Sequence, residues 1–453
     1  MIFRILGFLA VFFCTTAIAE TINIQQATER ALNHDPRISE VEKLIAVAEA
    51  QLDEVYANKD FSFELLSYVA MAPRTDQEGF FTKETCGEAT PCEVRDDRYA
   101  LSPGFSPWFM LQSLVVKPLY TFGKIKYFAE AAKANIKVKE EDVRLQRGQT
   151  ILDVHKAYHG YLSARDARLF LGDVQKRVDS AVDLVQGWLD DDNGRAKQSD
   201  LYALQSASGL AASFLAQAQA LENIALDGLK VLIGVALDQP LEIADKRAQA
   251  VALPSLSLAA LTEQALSKRP EMFQLENGMN ARRALVAANK AMNRPNLFTG
   301  MIIFASYSPL RTRIDNPYVY DVFNDYGATP LVGFQWNWER SVKKARAAQE
   351  QAQLDALVEK KSLALQGIPY QVAERYHQVQ AGHISVTKLM ESSKSARRWM
   401  IASYADFEAG LEQTDKIVSA FQGYVLTYTE YLKMVYDYNV QVAQLDYVAG
   451  AYQ

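Results

Sequence analysis

Lys117-Pro-Leu-Tyr-Thr-Phe-Gly-Lys124 joins two stretches of opposite character. Upstream, Trp108 to Val116 is apolar, aromatic and β-branched, the composition of a strand. Pro118 cannot donate to a ladder and Gly123 permits a bend, so the strand is expected to end here. Downstream, no proline occurs from Lys124 to Asp190, and Ala, Lys, Glu, Leu, Arg and Gln dominate. At 1.5 Å per residue that is one helix of roughly 100 Å, where helices usually run about 11–12 residues. A strand feeding so long a helix suits a tube that leaves a membrane and crosses an aqueous gap.

Working outward, Ile24 to about Asn58 reads as a helix, and Phe61–Met71 as a strand with Phe61, Phe63, Leu65, Val69 and Met71 on one face. A polar loop, 72–107, leads to the second strand, 108–118. The long helix, 124–190, breaks at Asp190-Asp191-Asp192-Asn193-Gly194, and Ser199 with Asp200 caps a returning helix, 199–233. The pattern then starts again. Glu263-Gln-Ala265-Leu266 followed by Pro270 repeats Glu29-Arg-Ala31-Leu32 followed by Pro36, and each opens a helix of about 30 residues. Strands are expected at 296–307 and 331–339. In the latter, Val332, Phe334, Trp336 and Trp338 face one way and Gly333, Gln335, Asn337 and Glu339 the other, which suits a wall between lipid and water. A second long helix, 340–407, carries Arg375-Tyr376-His377 where the first carries Ala157-Tyr158-His159. Gly410 ends it, and Thr414 caps the last helix, 414–447. The fold class is mainly α with a small β part. Its unit of helix, strand, strand, long helix and returning helix occurs in repeats at 20–240 and 255–453. Four strands cannot close a barrel, since single-chain barrels begin at about eight, and lipid tolerates no open edges. Oligomerisation is implied.

The chain has 453 residues, 49% hydrophobic and 23% charged, and its net charge of −6 gives no sign of nucleic-acid affinity. Residues 1–19 read as an export signal: Arg4, an apolar run from Ile5 to Cys14, and Ala17-Ile18-Ala19 as the small-residue cleavage site. Cleavage after Ala19 leaves Glu20 first. The apolar run is shorter than the ~20 residues of a membrane span, and Cys14 lacks the context of lipoprotein processing. Cys86 and Cys92 flank Gly87-Glu-Ala-Thr-Pro91 in a polar loop, where an oxidising compartment favours a short disulfide. No other stretch is long and apolar enough to span as a helix, so an outer-membrane location would have to come from strands.

In the paired Ala-Leu…Pro openings, the 117–124 junction and the paired Gly…Ser/Thr-Asp turns, the sequence resembles the TolC-type outer-membrane efflux and secretion channels over the mature chain. The resemblance implies a homotrimer whose strands form one twelve-stranded barrel in the outer membrane, continued by an α-helical barrel through the periplasm. It implies contact with outer-membrane lipid and docking to a periplasmic adaptor and an inner-membrane pump of RND or ABC type. The 72–107 loop is long for this family. The first turn, Asn193-Gly194-Arg195, departs from the Val-Gly-Leu form common at such tips, and Ala409-Gly410-Leu411 is closer to it.

The turns at Gly194, Arg195, Gly410 and Leu411 offer backbone and small residues to an adaptor, and they are also helix caps; both roles can hold at once. Asp190, Asp191, Asp192 and Asp406 are either a solvated acidic helix end or, repeated around a three-fold axis, a ring that favours cations. Asp406, alone at its helix end, is the best single aperture candidate. His155 and His159 share a helix face and Glu374-Arg-Tyr-His377 spells one Glu-x-x-His. A di-iron bundle needs that motif twice, and Lys156 stands at the matching place, so these read as packing histidines with no metal or cofactor. Tyr424, Tyr428 and Tyr431 read as a core seam, and the small residues from Ala207 to Ala220 allow close helix approach. No phosphate loop, nucleophile elbow or Ser/His/Asp arrangement occurs, so a passive duct rather than an enzyme is expected. A periplasmic coiled-coil adaptor without a barrel is the alternative, disfavoured by the aromatic alternation of Val332 to Trp338.

Overall fold

The computed structural model describes residues 20–75, 101–191, 194–313 and 320–452. The elements in chain order are β1 (Glu20–Ile22), α1 (Ile24–His34), α2 (Pro36–Ala57), β2 (Ser62–Thr75), β3 (Leu101–Tyr120), α3 (Lys124–Asp190), α4 (Gln198–Ile233), β4 (Leu241–Ile243), α5 (Leu258–Lys268), α6 (Pro270–Ala291), β5 (Asn296–Tyr307), β6 (Tyr326–Gln335), α7 (Arg340–Glu408) and α8 (Thr414–Val448). The order strand, helix, helix, strand, strand, long helix, helix thus occurs twice. The chain divides into two compact units that cut across this order: one of residues up to 44, 139–275 and 360 onward, the other of 45–138 and 276–359.

The first unit is a helical bundle with two adjoining cores. One gathers Ala27 and Ala31 of α1, Val154, Tyr158 and Leu162 of α3, Leu229 and Ile233 of α4, and Leu432, Val435 and Tyr438 of α8. The other gathers Val174, Val178, Ala181 and Val185 of α3, Leu201 and Leu204 of α4, Met400 and Phe407 of α7, and Ile417, Ala420 and Phe421 of α8. Each Val, Leu, Ile, Met or Phe among them, fully buried, contributes about 1.5–3 kcal/mol. The spacing on α3, near 3.5 residues, turns one stripe inward. A short parallel pair, β1 with β4, closes the unit through Ile22, Leu241 and Ile243. Three-residue strands are too short to show a periodicity, and none was expected here.

The opening helices differ from expectation. Neither 24–58 nor its counterpart is one helix: each breaks at the residue before proline. Asp35 (φ −61°, ψ 115°) ends α1, Arg269 (φ −64°, ψ 130°) ends α5, and Pro36 and Pro270 start α2 and α6. The proline ring drives its predecessor out of the helical region, while proline itself is well suited to a first helical position. Arg37 donates to both Asp35 carboxylate oxygens, and Thr150 Oγ1 donates to Oδ2 at 2.6 Å. Burial alone would raise this carboxyl, but the donors outweigh it and hold it below the usual carboxylate range.

The second unit carries an antiparallel sheet in the order β2-β3-β5-β6. Three strands depart from expectation. β2 (expected 61–71) and β3 (expected 108–118) both reach further into the 72–107 loop and pair with each other up to Thr75↔Leu101. Pro107 lies beyond the last β5 partner, Phe109↔Tyr307, and so has a strand neighbour on one side only within the chain. β6 runs 326–335 rather than 331–339. Its register follows β5 from Ala305↔Tyr326 to Asn296↔Gln335 and takes in Pro330 opposite Met301, so residues 336–339 have no β5 partner.

A candidate membrane wall and two helix turns

The register sorts the sheet into two faces, because directly opposed residues share a side. One face reads Phe63, Leu65, Val69 and Met71 on β2, Phe109, Leu111 and Val115 on β3, Met301, Ile303 and Tyr307 on β5, and Tyr326, Pro330, Val332 and Phe334 on β6. Ser67, Ser113 and Thr299 interrupt it, but most of its side chains are apolar and many are exposed, with Val69 at 66%, Val332 at 72% and Phe334 at 73%. A monomer in water does not leave so broad an apolar face open without a partner for it. The other face is mixed: Glu64, Gln112, Ser106, Ser306, Gln335 and three glycines share it with Leu66, Tyr68, Trp108, Leu114, Phe298 and Phe304. At Gly300 a Cβ would sit 2.3 Å from Val115 O, so only glycine lets these two strands approach. Phe304 lies across Gly327, 2.8 Å from where its Cβ would be, and covers the gap a glycine leaves. Among the described residues neither β2 nor β6 has a partner on its outer edge.

At the junction the strand outlasts Pro118. The ladder skips between Pro118 and Tyr120, and the chain turns at Phe122 (φ 53°) and Gly123 (φ 87°) before α3 begins. Left-handed phenylalanine is unusual, and sequence gave no signal for it. Tyr120 packs edge-on to Phe122 at 4.6 Å, and Tyr127 N donates to Gly123 O to start the helix.

The two helix turns belong to the bundle. Trp188, two residues from the end of α3, meets Phe407, next to the end of α7, at 5.2 Å between ring centroids. That contact sets the two turns side by side. α7 ends in a Schellman arrangement: Gly410 N donates to Phe407 O (2.9 Å) and Leu411 N to Asp406 O (2.8 Å), with Gly410 at φ 73°. Gly194 has φ 71°, and Leu411 is 80% exposed. The expected caps are corrected. Ser199 is the second residue of α4, and the cap is Lys197, whose N–H donates to Asp200 Oδ2 at 2.8 Å. Thr414 is the first helical residue of α8, buried, with Gln413 as cap. At α4 the helix starts two residues early, because an acidic side chain in the first turn serves as well as a hydroxyl at the cap; α8 starts one residue early.

Asp190, Asp191 and Asp406 are exposed, and Gln186 Nε2 donates to Asp190 Oδ1 at 2.8 Å. Asp192, Ala19, Cys86 and Cys92 lie outside the described residues; Glu20 opens β1. His159 is buried with its Nδ1 3.2 Å from Asn439 Nδ2, and Asn439 also binds the chain at Gln249 O and Val251 N. Burial and the neighbouring His155 push the His159 imidazole down to about 4, against a smaller pull from Asp245. Tyr424 and Tyr428 pack on Phe170 at 4.9 and 4.5 Å.

No family model matches the sequence, and no curated protein matches it either. Solved structures do. The outer-membrane channel OprN superposes with a TM-score of 0.73 at 15% identity, over 94% of this chain and 89% of that one. The CmeC outer membrane channel of Campylobacter jejuni gives 0.74 at 13%, over 94% and 85%. The MtrE outer membrane channel of Neisseria gonorrhoeae, solved in its open state, gives 0.69 at 14%, over 94% and 88%. This chain therefore has the fold of the TolC-type outer-membrane efflux channels.

Proposed function

We propose that this protein is the outer-membrane exit duct of a tripartite efflux or type I secretion system. The observation that carries the reading is the sheet: one exposed apolar face, one mixed face, and two unpaired edges. β5 has 12 residues and β6 has 10, and about 9–11 residues take a tilted strand across a bilayer. Open edges are forbidden in lipid, so β2 of one copy pairs with β6 of the next. Three copies close a twelve-stranded barrel with the apolar face in lipid and the glycine-bearing face toward water, and the helices continue it as an α-helical barrel. Substrate passes by diffusion, and the protein performs no chemistry. The turns at Gly194–Arg195 and Gly410–Leu411 face the periplasm and receive the adaptor, which links the duct to an inner-membrane pump. Asp190, Asp191, Asp192 and Asp406 then recur three times around the axis, where they favour cations.

The mass of the detergent-solubilised protein, corrected for bound detergent, tests the closure. Three copies per particle are expected. A monomer soluble without detergent would overturn the reading and favour a barrel-free adaptor.

A further inference from the structure

The antiparallel sheet brings its four strand–helix junctions to one end: the start of β2, the end of β3, the start of β5 and the end of β6. The junction segments 58–64, 117–126, 290–299 and 335–346 hold ten Lys and Arg against three acids, Asp60, Glu64 and Glu339, in a chain of net charge −6. The segment from β2 to β3, 76–100, is the reverse, with seven acids to three bases. Several junction cations have partners within the chain: Lys126 pairs with Glu130 at 3.9 Å, and Lys59 lies 4.8 Å over the Tyr56 ring. Lys124 Nζ donates to Arg294 O and Asn296 Oδ1 at 2.7 Å each, and the buried Lys343 donates to Asn337 O. Lys59, Arg294, Arg340 and Lys344 are exposed, and none has an ion-pair partner among the described residues. Aromatic rings stand exposed beside them: Phe61, Tyr120, Trp336 and Trp338. Lys117 lies 4.5 Å over the Phe61 ring, the two indoles meet at 4.6 Å, and Trp336 Nε1 donates to Asn293 O.

So many like charges at one level repel one another, and the chain supplies almost no anions to relieve them. Amphipathic indole and phenol rings favour the headgroup level of a bilayer, and lysine and arginine reach from there toward phosphate. We infer that this collar binds the phosphate headgroups of anionic phospholipids in the leaflet that surrounds the helix-bearing end of the sheet. The inference rests on the outer-membrane reading above and adds a lipid class to it. The bound lipid screens the cations and fixes the depth at which the aromatic rings sit.

Tryptophan quenching by brominated lipids tests this on the full-length protein reconstituted in vesicles of phosphatidylcholine, or of phosphatidylcholine with one third phosphatidylglycerol. The native protein is expected to prefer brominated phosphatidylglycerol over brominated phosphatidylcholine by about fivefold or more at low salt, the effect of roughly one basic residue at an anionic surface. The preference should fall toward unity in Lys59→Gln/Arg294→Gln/Arg340→Gln/Lys344→Gln. It should fall likewise in the native protein at 1 M salt, where the screening length is about 3 Å; that arm needs no variant to fold. Equal quenching by the two lipids at low salt would overturn the collar and leave the membrane reading intact. No quenching by either lipid would overturn both.

Discussion

The sheet and the helical core beside the turns use the same kinds of residue with opposite polarity. In the core, Val174, Val178, Val185 and Phe407 are buried in one cluster between the helices. In the sheet, Val69, Val332 and Phe334 share one face and stay exposed, while Glu64, Gln112, Gln335 and the glycines lie on the other, mixed face. Under the proposed function one region meets water and the other hydrocarbon. The lesson is that apolar residues mark an inside only relative to a solvent, and for the sheet of an outer-membrane duct that solvent is lipid.

The comparison can be broken first at the core. Phe407 is 1% exposed and touches Trp188, so Phe407→Ala should cost about 3–5 kcal/mol. Thermal melting of the purified protein reads it, and a change within about a degree would show that the turns are held some other way. On the sheet, Val332→Arg places a charge on the apolar face and should cost about 2–4 kcal/mol when it lies near the bilayer midplane. Thr329→Arg, on the opposite face of the same strand, should cost much less. Heat-dependent gel mobility of the folded barrel compares them, and equal losses would mean that the faces are not distinguished by solvent.

Acid should weaken the bundle in a defined window. The folded state needs His159 neutral, with its pKa lowered from 6.5 to about 4, so the unfolded chain binds the proton first. Stability is therefore full above about 6.5, falls as pH drops toward 4, and levels off below. His155 is shifted in the same direction by its burial. His159→Gln should flatten that stretch of the stability curve, as denaturant unfolding at stepped pH would show. The smallest effect is at the cap: Asp200→Ala should cost about 1 kcal/mol, while Ser199→Ala should cost less than about 0.5 kcal/mol. A larger loss from Ser199→Ala would reverse the cap assignment.

Much of this was legible in the sequence for physical reasons. The long helices could be read because proline-free stretches rich in helix formers have few alternatives, although Pro369 sits inside α7. It removes one ladder hydrogen bond, and the burial of Ile368 and Val372 beside it holds the helix. The sheet's apolar face could be read because alternation at period two survives in any register. Strand ends could not, because the length of β6 is set by its β5 partner, and the polar character of 72–107 hid how far β2 and β3 reach into it. The breaks at Asp35 and Arg269 had a signal in the following prolines. The Phe122 turn and the β1–β4 pair had none. The turns were found through their glycines, but the capping side chain is chosen by geometry that sequence does not show.

Single-channel recording in a planar bilayer tests the central claim most directly. The account predicts discrete conductance steps from the purified oligomer, with cation preference reduced by Asp406→Asn. Absence of any conductance from the native protein and from variants loosened at the turns, such as Phe407→Ala, would contradict it.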